Sequence, residues 1–221
     1  MARRTTRHTP DCRGGGQASS TGHRADEISG HGVVRLSRVT TMFIRQEQVS
    51  DEAAIREVHR RAFAKPATVE TPATDGELEA HLVDELRDDG DLLGPLCLVA
   101  ERGGAVVGHV AMSRTLLDDR PAPLVALGPL GVLPELQGAG IGSALVHATL
   151  AAADALGQRG VILLGHPTYY PRFGFVPAVD HGITPPQDWG PEYFMLRTLS
   201  AWGDGLRGAF RYAPAFERLE G

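Results

Sequence analysis

The segment 127–156 constrains the fold of this chain more than any other part of the sequence. It begins inside an apolar run, residues 124–133, which predicts a buried strand, and it passes through Pro134 into a glycine-rich loop. After the loop, apolar residues recur at steps of three and four, so we predict a helix that starts near Ala139 or Gly140. The predicted inner face of that helix comprises Ile141, Leu145, Ala148, Ala152 and Leu156. The loop therefore lies at the N-terminus of a helix.

A loop in this position is suited to bind a phosphate group. The first N–H groups of a helix have no intrahelical partner, and the helix macrodipole adds partial positive charge there. Gly138, Gly140 and Gly142 allow the main chain to turn sharply and let a phosphate approach without meeting a Cβ. The alternative is that these glycines only tighten the turn and let the helix pack closely against the sheet.

Two common phosphate-binding motifs do not match this loop. The P-loop, GxxxxGK[ST], requires a lysine before its serine or threonine, whereas Ser143 directly follows Gly142. The dinucleotide fingerprint, GxGxxG, requires an acidic residue about 20 positions later, and the sequence after this loop is rich in alanine. These mismatches argue against a nucleoside triphosphate site and against a dinucleotide site.

The loop resembles the pyrophosphate-binding motif of the GNAT superfamily of N-acetyltransferases, (Q/R)xxGx(G/A), which reads QGAGIG at residues 137–142. A second segment, YPRFGF at residues 170–175, resembles the YxxxGF element that follows the next strand in these enzymes. The similarity extends over residues 43–175 and is greatest to bacterial GNAT proteins that carry a YYxRFGF signature and a C-terminal extension. It implies an α/β fold of the acyl-CoA N-acyltransferase type, with a mixed, mostly antiparallel sheet of about seven strands and helices on both faces.

The resemblance also implies the reaction, which is transfer of an acetyl group from the cosubstrate acetyl-CoA to the amine of an acceptor in a ternary complex. In this family the fourth and fifth strands part, and the pantetheine arm of acetyl-CoA binds along the exposed edge of the fourth. A non-catalytic acyl-CoA-binding or regulatory module on the same fold is the alternative, because a fold does not fix a function. The residues expected at acetyl-CoA are Leu130, Val132, Gln137, Gly138, Ala139, Gly140, Ile141, Gly142, Ser143, His166 and Phe173.

Pro129 stands inside the fourth predicted strand. Proline cannot donate a hydrogen bond to a neighbouring strand, so a central strand tolerates it only at a bulge or where the neighbour has parted. The parted strands of the resembling family fit the second case. A main-chain N–H of this strand, such as that of Val132, is then expected to polarise the thioester carbonyl.

Two side chains are candidates for the proton transfers. The resemblance assigns Tyr170 as the general acid that protonates the departing thiolate, and the adjacent Tyr169 is the competing candidate. His109 lies in a predicted strand, and an ordinary pKa near 6.5 suits a general base for the acceptor amine. Its alternative is a partly buried strand histidine that is hydrogen-bonded to a neighbour. His166 follows the fifth strand, where it is expected to contact CoA or acceptor, and a structural role is equally compatible.

Two helices are predicted before these strands. Ser50 or Asp51 can cap the first, which runs to Phe63, and Asp75 can cap the second. In the resembling family these helices border the acceptor site, so polar side chains of the second could touch substrate, although a solvated helix face is the favoured alternative. The apolar residues that define the inner faces are Ile55, Val58 and Ala62, then Leu78, Leu82 and Leu86. The polar residues in question are Glu77, Glu79, His81, Asp84 and Glu85.

Short apolar, β-branched runs predict the remaining strands. Two of them are joined by Arg102-Gly103-Gly104, a strong hairpin signal. The last two lie in the C-terminal tail, near Trp189, and are expected to complete the acceptor side. The segments predicted as strands are 43–46, 96–101, 105–112, 161–164, 193–199 and 206–212.

The composition narrows the classes of partner. Residues 1–41 carry seven arginines against three acidic residues, so they hold +4 of a net charge of −5, and residues 42–221 hold −9. An acidic domain argues against nucleic-acid binding and suits a small cationic acceptor such as an amine. No apolar run is long enough to cross a membrane, which argues against a membrane partner. The nine histidines show no paired ligand spacing, so no metal is expected, and a homodimer is left open.

The chain is predicted to contain a disordered N-terminal extension, residues 1–41, and a GNAT N-acetyltransferase domain, residues 42–221. The extension is poor in apolar residues, shows no periodicity and contains no apolar core of a secretory signal. Met42 stands at the head of the first predicted strand, so one interpretation is that translation starts there, and a transit-like or nucleic-acid-binding arm is the other. Two cysteines, Cys12 and Cys97, make a disulfide framework improbable and indicate the cytoplasm.

Overall fold

The computed structural model describes residues 41–68, 72–203 and 205–218, and the strands among these residues form one mixed sheet with a short two-stranded addition. The predicted extension, residues 1–41, lies outside the described residues apart from Thr41. The strands are β1 Met42–Gln46, β2 Leu98–Arg102, β3 Ala105–Leu117, β4 Arg120–Val132, β5 Gly160–Leu164, β6 Val176–Pro177, β7 Ile183–Thr184, β8 Phe194–Thr198 and β9 Gly208–Arg211.

Seven of these strands follow one path across the sheet, in the order β1-β2-β3-β4-β5-β8-β6. All neighbours on the path are antiparallel except β4 and β5, which run parallel. Outside the path, β9 pairs with β3 and with the two-residue strand β7. The mixed, mostly antiparallel sheet that the resemblance implied is therefore present, with two short strands beyond the seven expected.

Helices cover both faces of this sheet. A Cβ added at Gly131 of β4 would meet the side chains of His59 and Ala62, whereas the side chain of the next residue, Val132, approaches Gly142. Successive residues of a strand face opposite sides of the sheet, so the helices that hold these partners lie on opposite faces. The described helices of four residues or more with α geometry are α1 Glu52–Phe63, α2 Glu77–Asp88, α3 Ile141–Ala155 and α4 Pro214–Arg218.

The apolar patterns for α3 and α2 each predicted the right helix, but each placed one exposed residue on the buried face. Leu145 of α3 and Leu82 of α2 are buried, whereas Leu156 and Leu78 are 56% and 52% exposed. Each step of four residues turns about 40° around a helix axis, so a ridge of such steps leaves the buried face at its ends. Leu156 in addition lies after the last residue of α3.

The predicted helix caps have different outcomes. The N-cap residue of α2 is Gly76 rather than Asp75, but Asp75 accepts the N–H of Glu77 at 3.1 Å and so satisfies one of the free donors in the first turn. Asp51 precedes α1 but makes no cap bond to that helix. Its carboxylate instead binds the guanidinium of Arg45 at 2.6 and 2.9 Å and the N–H of Gln48 at 2.8 Å. A bidentate pair with a guanidinium gives the carboxylate two hydrogen bonds and an opposite charge, whereas a cap bond would give it one neutral N–H donor, which explains the difference.

The central hairpins hold the sheet together. β2 and β3 meet at Gly103-Gly104, as predicted, but β3 continues to Leu117 rather than ending at Met112. The turn that follows, Asp118-Asp119, has positive φ at both residues (48° and 60°), the backbone that a tight two-residue hairpin requires.

No helix in the described ranges has the length and apolarity needed to cross a bilayer.

Candidate active site

The two parallel strands part halfway along their length. β4 pairs with β5 from Leu124 to Ala126, and the pairing on β5 ends at Ile162. Beyond this point a cleft of about 920 Å³ opens between β4 and the residues that follow β5. Leu130 and Val132 line it from the side of β4. The main chain of this part of β4 therefore faces the cleft and is not paired with β5, as the resemblance implied.

A bulge precedes this open edge. Leu127 pairs with Met112 and Leu130 pairs with Val110, so Gly128 and Pro129 together stand opposite a single residue of β3. The bond between them is a cis peptide, and both residues line the cleft. Pro129 thus occupies a bulge in a strand that has parted from its neighbour, and both conditions that tolerate proline in a central strand are met.

The glycine-rich loop forms one end of the cleft. Gly138 and Gly140 have φ values of 75° and 84°, in the left-handed region that favours glycine. Gly140 is the N-cap residue of α3, so the free N–H groups of the first helical turn lie at the cleft. The side chain of Gln137 donates to the carbonyl of Val132 at 3.0 Å and ties the loop to the end of β4. This geometry can bind a pyrophosphate.

Most residues expected at acetyl-CoA line the cleft, and two do not. Ala139 is an exposed loop residue outside the lining. Phe173 is buried, with its ring 5.3 Å from that of Tyr169 and 5.1 Å from that of His147 between centroids, so an aromatic cluster holds it away from the cleft. The residues that do line it are Leu130, Val132, Gln137, Gly138, Gly140, Ile141, Gly142, Ser143 and His166.

Both candidate tyrosines reach the cleft. Tyr169 and Tyr170 pack edge to face, with ring centroids 5.0 Å apart. Burial, with a smaller effect of Tyr169, raises the pKa of Tyr170 to about 12, so its phenol stays protonated at neutral pH. The Tyr170 ring packs directly over Gly165, where a Cβ would overlap it, and against Phe175. Tyr170 is thereby held in one orientation at the end of β5.

Apart from the tyrosines, the ionisable side chains among the described residues of the cleft lining are basic. His166 is exposed, and its Nδ1 lies 2.9 Å from the hydroxyl of Thr168. Lys65 and Arg172 are the charged residues of the lining, and none of its described residues is an aspartate or a glutamate. The cleft therefore offers no carboxylate among the described residues to accept a proton directly from a bound amine.

His109 lies elsewhere. Its side chain is fully buried and does not line the cleft. Nε2 is 2.8 Å from the carboxylate of Glu47, and Nδ1 is 2.8 Å from Nε2 of His59, which is also fully buried. His109 therefore cannot touch an amine in the cleft, and the alternative of a hydrogen-bonded strand histidine describes its position. Sequence reasoning missed His59, although its place beside Val58 on the inner face of a predicted amphipathic helix was a signal.

Aromatic residues from the C-terminal tail form the opposite end of the cleft. Trp189, Tyr212 and Phe216 line it in succession, with centroid distances of 6.3 and 4.6 Å between neighbouring rings. Phe63 and Leu82 line the same end from α1 and α2. We call these five residues the apolar end of the cleft. The sequence predicted only that the tail completes the acceptor side, because no local pattern marks which aromatic residues turn inward.

Neither a metal nor a cysteine nucleophile is indicated by the described residues. No group of three or more histidine, cysteine, aspartate and glutamate side chains among them is arranged to hold a metal ion. Cys97 is buried away from the cleft, and burial raises the pKa of its thiol to about 12, so the reactive thiolate is suppressed.

A crevice between parted parallel strands, with a glycine-rich helix N-terminus at one end, is the architecture of the acyl-CoA N-acyltransferase class. Residues 94–177 match the family model of the acetyltransferase (GNAT) domain. The chain is 36% identical over 174 residues to the uncharacterized N-acetyltransferase YjhQ of Escherichia coli K12. This alignment covers 76% of this chain and 90% of YjhQ. It is 32% identical over 180 residues to the uncharacterized N-acetyltransferase YhbS of the same strain, covering 80% and 100%.

Solved structures agree with these sequence comparisons. The crystal structure of YhbS from Escherichia coli in complex with CoA matches with a TM-score of 0.71 and 31% identity, over 81% of this chain and 93% of that chain. A GNAT family acetyltransferase from Brucella melitensis in complex with acetyl-CoA matches with a TM-score of 0.65 and 35% identity, over 80% and 99%. The chain belongs to the GNAT family of N-acetyltransferases.

Proposed function

We propose that this protein transfers an acetyl group from acetyl-CoA to the amine of a small acceptor by direct attack in a ternary complex. The observation that carries the proposal is the open edge of β4, Leu130 to Val132, which lines the same cleft as the glycine-rich loop and the two tyrosines. The similar structures of YhbS and of the Brucella enzyme, which contain CoA and acetyl-CoA, support the choice of donor. Cytoplasmic location and a homodimer stay predictions.

The donor can be assigned to one half of the cleft. The pyrophosphate would lie against the N–H groups near Gly138, Gly140 and Ser143, where the positive end of α3 favours an anion. The pantetheine arm would then bind along β4 as an added strand. A main-chain N–H such as that of Val132 would polarise the thioester carbonyl, and a donor of this kind contributes about 3 kcal/mol to the transition state.

Tyr170 is the proposed general acid. As the amine nitrogen bonds to the carbonyl carbon, the carbon–sulfur bond breaks and the thiolate takes the phenol proton of Tyr170. An ordinary thiol has a pKa near 8.5, so full transfer from a phenol with a pKa of about 12 requires a thiolate whose pKa is raised as well. The apolar surroundings that raise the pKa of Tyr170 act on the thiolate in the same direction.

The apolar end of the cleft indicates the class of acceptor. Its walls are aromatic or aliphatic, and the charged residues among the described lining of the whole cleft, Lys65 and Arg172, are cationic. We expect a monoamine with an apolar or aromatic body, since a second ammonium group would find no carboxylate among the described lining residues. The acidic residues of α2 that the sequence offered as substrate contacts, Glu77, Glu79, Asp84 and Glu85, with His81, all lie outside the lining.

Most of those polar side chains have other partners. Glu77 and Asp84 pair with Arg56 of α1, and Glu85 pairs with Arg218 of α4. These pairs are half exposed and join neighbouring helices, so the solvated helix face describes them.

Release of CoA under a panel of amines tests the proposed function. The panel contains 2-phenylethylamine, tryptamine, spermidine and a lysine-containing peptide, each incubated with acetyl-CoA and the protein, and the products are identified by mass spectrometry. We expect amine-dependent CoA release, fastest with the aromatic monoamines. Tight binding of acetyl-CoA with no release under any amine would favour the alternative of a non-catalytic module, whereas fastest release with spermidine would contradict only the acceptor class.

A further inference from the structure

A chain of three buried ionisable side chains runs behind the open part of β4. Glu47 follows β1, His109 lies in β3 and His59 lies in α1. Both contacts in the chain measure 2.8 Å, from the Glu47 carboxylate to Nε2 of His109 and from Nδ1 of His109 to Nε2 of His59. Both imidazoles are fully buried, and 13% of the Glu47 side chain is exposed. Only the carboxylate end of the chain therefore reaches solvent.

The hydrogen bonds determine where the protons lie. Burial acts to raise the pKa of Glu47, but His109 and Arg87 outweigh it, so the pKa is lowered and the carboxylate is ionised. An ionised carboxylate only accepts hydrogen bonds, so Nε2 of His109 carries a proton and donates it. Burial lowers the pKa of His109 despite Glu47, so the ring is neutral and its Nδ1 is an acceptor.

The same reasoning fixes the second imidazole. Since Nδ1 of His109 accepts, Nε2 of His59 must be the N–H that donates to it. Burial, followed by the charges of His109 and Arg87, lowers the pKa of His59 well below its ordinary value, so this ring is neutral too. Its Nδ1 is therefore a bare lone pair, and this atom has no hydrogen-bond partner among the described residues.

This unpaired nitrogen faces the strand that lines the cleft. A Cβ on Gly131 would lie 2.9 Å from Nδ1 of His59, so glycine is needed at that position for the imidazole to approach β4. The residues on either side, Leu130 and Val132, line the cleft, as does Phe63, whose ring stacks 6.1 Å from the His59 ring. A buried nitrogen without a hydrogen-bond partner destabilises the fold, and a histidine that served only for packing would avoid that cost.

We propose that His59, His109 and Glu47 form a relay that removes the proton of the acceptor amine. The relay rests on the proposed transfer to an amine. Because Nδ1 of His59 is fully buried beside Gly131, the relay also requires one water to enter from the cleft past Gly131 and join the amine to this nitrogen. As Nδ1 takes a proton, Nε2 of His59 passes its own to Nδ1 of His109. Nε2 of His109 then passes its proton to the Glu47 carboxylate, which becomes a neutral acid and returns the proton to solvent. One proton leaves the amine and one reaches solvent, and each imidazole is left in its other tautomer. After the products leave, the same path runs backwards, from solvent through Glu47 and His109 to Nδ1 of His59 and a water in the open cleft, and this restores the resting tautomers.

The charged groups around the relay favour its resting state. Arg87 of α2 lies 3.4 Å from Glu47 and stabilises the ionised carboxylate, while it disfavours a cation on either imidazole. Asp51, which precedes α1, acts on His109 in the opposite direction but is itself paired with Arg45. The relay therefore begins each turnover with both histidines neutral and ready to accept a proton.

The pH dependence of the rate tests the relay. We would measure kcat from pH 6 to pH 10 with an aromatic monoamine for the wild type, His59→Gln, Glu47→Gln and the control His147→Gln, which removes an exposed histidine of α3. The expected result is a kcat at pH 7 that falls on the order of a hundred-fold in His59→Gln and less in Glu47→Gln, with an unchanged KM for acetyl-CoA. The gap to wild type should narrow as the pH approaches the pKa of the amine, while His147→Gln keeps the wild-type profile.

Several results would overturn the relay. A rate loss in His59→Gln that is the same at every pH would show a structural role, and no loss would remove the residue from the reaction. If the variants do not fold, the solvent isotope effect on the single-turnover rate of the wild type tests the relay instead. A relay moves several protons, so the rate should depend on the deuterium content of the solvent along a curve. A linear dependence would overturn the relay. A wild type that binds acetyl-CoA but acetylates no amine overturns the proposed function together with the relay.

Discussion

The phenol oxygen of Tyr169 lies 3.0 Å from the point that a Cβ would occupy on Gly142, in the first turn of α3. Gly142→Ala therefore pushes the end of the Tyr169 side chain, although alanine suits a helix better than glycine by about 1 kcal/mol. We expect a melting temperature that is unchanged or higher and a CoA affinity that is a few-fold weaker. In a Tyr169→Phe background the same change should weaken binding less, since the oxygen is gone. Additive effects in this double-mutant cycle would contradict the contact.

Gly140 should be required for CoA binding for a reason beyond backbone strain. A valine there meets a positive φ of 84°, and its branched side chain stands where the pyrophosphate is proposed to lie. We expect CoA affinity to fall at least about ten-fold, or 1.4 kcal/mol. Gly157→Val is the matched control, because Gly157 has a φ of 72°, similarly open surroundings and no place in the cleft lining. Equal losses of CoA affinity in the two variants would indicate that the pyrophosphate does not bind at Gly140.

The buried histidines should make the fold sensitive to mild acid. Burial lowers the pKa values of His59 and His109 below 6.5, so between those values and pH 6.5 the unfolded chain binds more protons than the folded one. The free energy of unfolding should therefore fall as the pH drops below about 6.5, by up to about 1.4 kcal/mol per pH unit for each histidine. Urea unfolding from pH 7.5 to 5 measures this slope. His59→Gln should flatten it and His147→Gln should not; an equal slope in both would mean that His59 does not titrate on unfolding.

The parts of the site that were predictable from sequence depend on local backbone chemistry. Gly138 and Gly140 adopt the positive φ values that a glycine-rich turn suggests, and the helix begins right after Gly140. Pro129 indicated either a bulge or a parted neighbour, because its missing N–H leaves few places in a central strand; parting was the case expected, and the structure has the bulge as well. Such signals are carried by the residue itself and need no knowledge of distant partners.

The parts that were missed depend on which side chains pair with one another once the chain has folded. The sequence offers Asp51 as a helix cap, but its carboxylate is hydrogen-bonded to the guanidinium of Arg45 in β1. The sequence offers His109 as a general base, but Nε2 of His59, 50 positions away, is hydrogen-bonded to its Nδ1 and both rings are buried behind β4. The apolar end of the cleft is likewise assembled from both ends of the domain. Pairing of this kind is decided by tertiary packing, which periodicity does not report.

The central claim is that acetyl-CoA occupies the cleft with its sulfur at Tyr170. Removing the hydroxyl group of each tyrosine in turn tests this claim most directly. The measurement is the single-turnover rate of acetyl transfer in Tyr170→Phe and Tyr169→Phe, with acetyl-CoA affinity measured on the same samples. We predict that Tyr170→Phe binds acetyl-CoA as the wild type does but transfers acetyl on the order of a hundred-fold more slowly, while Tyr169→Phe changes the rate little. A rate loss confined to Tyr169→Phe would transfer the role to Tyr169, and no loss in either variant would contradict protonation of the thiolate by a tyrosine.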